Sequence, residues 1–186
     1  MRQPDRAAAE RAIEDFLRAL GHDPEAEPEL RQTKSRVAAA FLDQLCVGYT
    51  QDPKGPLQKH LLEGVTGDVI VRGIPVLTMC PHHLMLATGE ATVGFSATGR
   101  GVGLGAIADV VRICSRRLIL QEVLGKDVCD AIHAVLAPSW VFCRVTLAHG
   151  CMRVADESLL HTTVETVATR GDVPAAVVGP EKGARP

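Results

Sequence analysis

Two short clusters combine the residue types that bind soft metal ions: Cys80-Pro81-His82-His83 and His149-Gly150-Cys151. Thiolate and imidazole are the usual zinc ligands, and a short turn lets residues three apart, here Cys80 and His83, converge on one ion. Pro81 stiffens that turn by fixing its own φ. In the second cluster, residues two apart share a face if the segment is a strand. On that expectation His149 and Cys151 lie on the face that carries Cys143, Val145 and Leu147. Gly150 between them leaves room for close approach of another backbone or a ligand. Two Cys and one His make three protein ligands and leave a fourth position open, as a catalytic zinc requires. Such a zinc lowers the pKa of its bound water to about 7 and supplies hydroxide at neutral pH. His82 and His149 are then left over as candidates for proton transfer. Either cluster alone is a weak signal, because a lone Cys-x-x-His or a lone histidine is more often an ordinary polar residue. Two clusters, each at the end of a predicted strand, are a stronger one.

The elements that must position these clusters are read from periodicity. Residues 7–20 predict a helix with Ala9, Ile13, Phe16, Leu17 and Leu20 as its apolar stripe, stopped by Gly21. Residues 33–49 predict a second helix, with Thr33 as N-cap and Val37, Phe41, Leu42 and Leu45 facing inward. Residues 51–67, rich in Gly, Pro and Lys, are expected to be a loop. Strands are expected over 68–79 and about 84–97, flanking the first cluster. Two helices follow, one using Ile107, Val110, Val111 and Cys114, the other Leu124, Val128, Ile132 and Val135. Strands at 140–151 and 160–170 complete the pattern of two helices, then ββ, αα, ββ. The expected division is an N-terminal helical region 1–50, a loop 51–67, a catalytic domain 68–176 and a flexible tail 177–186.

Composition narrows the class. Apolar residues make up 46% of the 186, enough for a folded domain with a real core. A net charge of -2 gives no global basic balance of the kind that binds nucleic acid. Apolar runs are too short to span a membrane. The charged N-terminal segment has no secretory apolar stretch, so a cytoplasmic protein is expected. Cys114 and Cys129 fall in helical apolar patterns and read as core residues, not as halves of disulfides.

From about residue 10 to 171 the chain resembles the GTP cyclohydrolase I family. The resemblance rests on Cys80-Pro81-His82-His83-Leu84, Gly103-Leu104, Gln121-Glu122-Val123-Leu124 and His149-Gly150-Cys151-Met152, in that order, with Thr33-Lys34-Ser35-Arg36-Val37-Ala38 resembling the start of the family's second helix. It implies an α+β tunnelling fold: ββαα-type units, an antiparallel sheet with helices on one face, preceded by N-terminal helices. It implies a homo-oligomer, commonly two stacked pentamers, with active sites between subunits. Zinc would be held by Cys80, His83 and Cys151. His82 and His149 match proton-transfer residues, Gln121 and Glu122 match the pair that anchors a guanine or pterin ring, and Arg36 is kept from the substrate-binding cations. Without the resemblance, Gln121 and Glu122 read as a solvated helix start. The implied reaction begins with zinc-activated water attacking C8 of a purine imidazole, followed by release of formate, ribose rearrangement and closure to dihydroneopterin triphosphate.

The departures from the family pattern concentrate where the triphosphate would bind. Gly105, Ala106 and Asp109 stand where the family has Ser, Lys and Arg; Ala155 and Asp156 replace an Arg-Gly pair; a frequent Lys of the second helix is Ala39. Nearer the chemistry, Pro81 replaces a Glu and Val123 an Arg. Each charge-assisted phosphate contact contributes on the order of 1.5–3 kcal/mol, so losing several weakens triphosphate binding severely. Arg112, Arg116, Arg117 and Arg153 are the nearby cations that would have to compensate. The expected function is therefore a zinc hydrolase opening the imidazole ring, or cleaving the derived formamide, of a purine-like substrate lacking a triphosphate. The alternatives are an authentic GTP cyclohydrolase I with relocated cations, and a non-catalytic purine- or pterin-binding protein.

Overall fold

The computed structural model describes residues 4–179. The chain divides between Val47 and Gly48 into two compact units. The first holds α1 (Arg6–Ala19) and α2 (Thr33–Ala39). Asp5 caps α1 by accepting a hydrogen bond from Ala8 N at 2.9 Å. Gly21, at φ 93°, follows its end. An ion pair from Lys34 to Glu14 ties the two helices, and a second, 2.6 Å long, runs from Arg6 of α1 to Asp43 in the segment after α2. The second predicted helix does not run unbroken: after α2 the chain widens into a π-helical segment, Ala40–Leu45. Phe16 and Leu20 of the predicted stripe of α1 remain exposed.

In the second unit the expected loop 51–67 is largely structured. Asp52 accepts from Lys54 N at 3.0 Å and starts α3 (Lys54–Lys59), whose Leu57 is fully buried. β1 (Leu61–Met79) then begins seven residues before the predicted strand. Its first part was illegible because Gly64 and Gly67 adopt positive φ and a register shift lies between Glu63 and Val65, which breaks the alternation of side chains. β2 (Leu86–Val102), α4 (Leu104–Ser115), α5 (Gln121–Leu136), β3 (Trp140–His149), α6 (Gly150–Ala155), β4 (Val164–Gly171) and α7 (Ala175–Val178) follow. Part of the expected tail is thus the helix α7, and residues 180–186 of that tail lie outside the described residues.

The four strands form one antiparallel sheet in the order β1-β2-β3-β4. Ala91, Val93, Phe95 and Ala97 of β2 and Val141, Cys143, Val145 and Leu147 of β3 point to one face, each separated by two residues. That face is covered by Ile107, Val110, Val111 and Cys114 of α4 and Leu124, Val128 and Ile132 of α5. Each fully buried aliphatic side chain contributes about 1.5–3 kcal/mol, so this single layer of helix on sheet holds the unit together. The architecture is α+β, with the predicted ββ, αα, ββ order. No helix among the described residues is long and apolar enough to cross a membrane.

Candidate active site

Register brings the two clusters to the same end of the sheet. Met79 pairs with Leu86 across β1 and β2, so the chain reverses through Cys80–Met85. Cys80 N donates to Met85 O and Leu84 N to Cys80 O, both at 2.9 Å. Leu84 sits at φ 52°, a left-handed conformation that a side-chain-bearing residue rarely takes, and it completes the reversal. Ala87, next on β2, pairs with His149, which sets the end of β3 beside this turn. Ile119 N donates to Met79 O at 3.2 Å and delivers the start of α5 to the same place.

The second cluster is built differently from the expected strand. β3 stops at His149, and Gly150–Ala155 turn into α6, so Cys151 lies in a helical first turn and does not share a strand face with His149. Gly150 is required by close approach of backbone: a Cβ there would lie 2.8 Å from Leu86 O. The break in β3 directs Cys151 toward the first cluster. Ligand atoms of Cys80, His83 and Cys151 lie within 4.8 Å of one another. Cys80 Sγ is 3.6 Å from His83 Nδ1. Desolvation, and after it the neighbouring Cys80, pushes the Cys151 thiol above its ordinary pKa. Two sulfur atoms and an imidazole nitrogen this close together are a donor set suited to a soft cation. By contrast, Cys114 and Cys129 are buried, with pKa values raised to about 12 chiefly by burial, and behave as inert core residues, as expected.

A cavity of roughly 260 Å³ opens on this cluster. Cys80, His82, His83, Cys151, Gln121, Glu122 and His149 are among the residues that line it. The rings of His82 and His83 stand nearly perpendicular, at 83°, so the two adjacent imidazoles face different directions. Half-buried His149 is held below its ordinary pKa by desolvation, against the opposing pull of Glu122. Glu122 is exposed in the first turn of α5, where the helix dipole favours a carboxylate.

Gln121 differs from both readings of the sequence. It is only 4% exposed, so it is no solvated helix start. Its amide N–H groups are also engaged within the protein: Nε2 donates to Val145 O (2.8 Å) and Val164 O (2.9 Å), and Oε1 meets His149 Nε2 at 2.7 Å. The signal was in the sequence. Gln121, Leu124, Val128 and Ile132 lie on one helical stripe, which made Gln121 a polar residue on a buried face. Arg36 belongs to the first unit, where it is exposed and donates to Gln32 Oε1 at 2.8 Å.

The replaced residues at the start of α4 have their own environment. The Ala106 side chain is part of the core, whereas a Cβ on Gly105 would meet nothing within 4 Å. Asp109 accepts from Arg112 at 2.9 Å. Of the candidate replacement cations, Arg112 is therefore paired, and Arg117 donates to Gly48 O at 3.1 Å. Asp156 accepts from Ser158 N at 2.8 Å and caps the short helical turn that follows.

The family model for GTP cyclohydrolase I matches residues 9–177 of this chain. The chain belongs to the GTP cyclohydrolase I family. Among curated relatives, GTP cyclohydrolase 1 of Streptococcus agalactiae serotype Ia is 37% identical over 150 residues, covering 80% of this chain and 79% of that protein. GTP cyclohydrolase 1 of Chlorobium phaeovibrioides is 36% identical over 164 residues, covering 87% and 72%. A crystal structure of the archaeosine synthase QueF-Like in the apo form superposes with a TM-score of 0.48 at 21% identity, over 59% of this chain and 99% of that one. The family is one of C–N hydrolases acting on small molecules.

Proposed function

We propose that this chain is a zinc-dependent hydrolase that opens the imidazole ring of a guanine-type substrate, with GTP as the substrate its relatives favour. The observation that carries the reading is the convergence of Cys80, His83 and Cys151 on one cavity with His82, His149 and Glu122. Cys80, His83 and Cys151 would hold the zinc, which when bound supplies hydroxide near neutral pH. Glu122 accepts N–H bonds from the guanine edge. Its carboxylate is matched to an amino and a ring N–H, whereas a pyrimidine-like edge that presents lone pairs would meet repulsion. His82 and His149, both lining the cavity, move protons to and from the opening ring. Arg36 is retained as a phosphate-side cation.

A second reading is favoured by one observation. Ala106 is buried and Asp109 is paired with Arg112, so this segment presents no cation in place of the family's Lys and Arg. On that reading the substrate keeps the guanine-like head and lacks the triphosphate. Zinc-loaded protein incubated separately with GTP, GMP, guanosine and guanine decides between them, with formate release and pterin fluorescence followed together. A higher kcat/KM for GTP establishes the first reading, and a higher value for an unphosphorylated purine the second. Formate from none of them would overturn both readings.

A homo-oligomer larger than a dimer goes with either reading. β1 and β4 are the edges of the sheet, and an open edge needs a partner or protection. Light scattering of the purified protein checks this, and a monomer at micromolar concentration would contradict it.

A further inference from the structure

We propose that Gln121 is a positioning residue that fixes His149 in its Nε2–H tautomer and leaves Nδ1 as the atom that accepts a proton. The inference rests on the reading of His149 as a proton-transfer residue and assigns which of its nitrogens acts.

A glutamine amide has two N–H donors on nitrogen and an acceptor-only oxygen. Both donors of Gln121 are taken by backbone carbonyls, Val145 O on β3 and Val164 O at the first residue of β4. Carbonyl oxygens can only accept, so the nitrogen end of the amide must face them. The flipped amide would set its oxygen against two oxygens at 2.8 and 2.9 Å. Oε1 is thereby forced toward His149 Nε2, 2.7 Å away, where it can only accept. Nε2 must carry the hydrogen, and a neutral imidazole has only one. Nδ1 therefore keeps its lone pair. Two strands and a helix hold the amide in place, and its 4% exposure keeps water from competing for these bonds. Both donors of the amide and one acceptor site of Oε1 are engaged inside the protein, so Gln121 acts through His149 and has no N–H left to donate to a ring edge beside Glu122.

The test is ¹⁵N NMR of zinc-loaded protein labelled at histidine, near pH 8, where neutral imidazole predominates. His149→Gln identifies the His149 signals by their loss. The expected spectrum has the proton on Nε2 and an unprotonated Nδ1; the proton on Nδ1 overturns the proposal. This measurement needs no substrate, so its outcome is separate from that of the proposed function. A second arm uses Gln121→Met, which keeps length and removes the hydrogen bonds. The expected change with GTP is a fall in kcat of about 10–100-fold with KM altered less than about threefold, as for other residues that orient an active-site imidazole. A raised KM with kcat retained would assign Gln121 to the substrate and overturn the proposal. If Gln121→Met does not fold, the wild-type spectrum decides alone.

Discussion

The cavity at the end of the sheet and the first two turns of α4 keep the family pattern to very different degrees. At the cavity, both Cys and all three His of the reversal and of the β3–α6 junction are present, and they line it together. At α4 the polar and cationic positions have become Gly105, Ala106 and Asp109, and the turn has been absorbed into the protein's own packing and pairing. Ala106 faces the core, and Asp109 with Arg112 carries no net charge. The difference teaches that the groups suited to bond cleavage and the groups suited to anchoring a polyanion sit on separate elements. Register between β1, β2 and β3 holds the first set. On the proposed roles, the second depends on side chains along the first two turns of one helix, which can change without disturbing the sheet.

The comparison breaks most completely if the cavity residues do not hold a metal. Cys151→Ala is expected to abolish zinc binding and to reduce activity to background, because it removes one of three ligands. Metal analysis of the purified variant checks this, and full zinc occupancy in a Cys80→Ala, Cys151→Ala double variant would refute the ligand set. A smaller effect is expected for the two histidines that are not ligands. His82→Ala and His149→Ala should each lower kcat by roughly 10²–10⁴-fold while zinc stays bound. Loss of zinc in both variants would show that the roles of ligand and proton carrier have been divided wrongly.

Much of this was legible in the sequence because the period of apolar residues was strict where one face is buried. α5 with Leu124, Val128 and Ile132, and β3 with Val141, Cys143, Val145 and Leu147, follow from spacing alone. The first half of β1 did not, since its side chains are mostly exposed and two of its glycines take positive φ. The ligand types were legible, but the path of the chain through them was not. His149 and Cys151 look like alternate strand residues, whereas Gly150, pressed against Leu86 O, begins a helix that redirects the chain. The role of Gln121 was hidden for another reason. Its partners are the carbonyls of Val145 and Val164, and a backbone acceptor carries no signature in residue identity.

The smallest expected effect sharpens the comparison at α4. Restoring a Lys at Ala106 is a poor test, because that side chain is in the core and burying an ammonium would cost stability. Gly105 and Asp109 are better positions. Gly105 has open space for a hydroxyl, and its replacement by Ser adds a donor without a clash. Asp109→Arg removes the carboxylate that pairs with Arg112, so it both adds a cation and releases one. The double variant Gly105→Ser, Asp109→Arg should therefore favour GTP over guanosine by at least about tenfold in KM relative to the parent, the equivalent of one charge-assisted phosphate contact of about 1.5 kcal/mol. The measurement is the ratio of KM values for the two substrates at fixed ionic strength, since screening weakens exposed charge contacts. If the ratio is unchanged and the protein already prefers GTP, the triphosphate is held elsewhere, and Arg36, Arg116 and Arg153 become the cations to replace next. If the ratio rises as expected, the N-terminal half of α4 is the anchoring region, and its residues set whether a phosphorylated substrate is accepted.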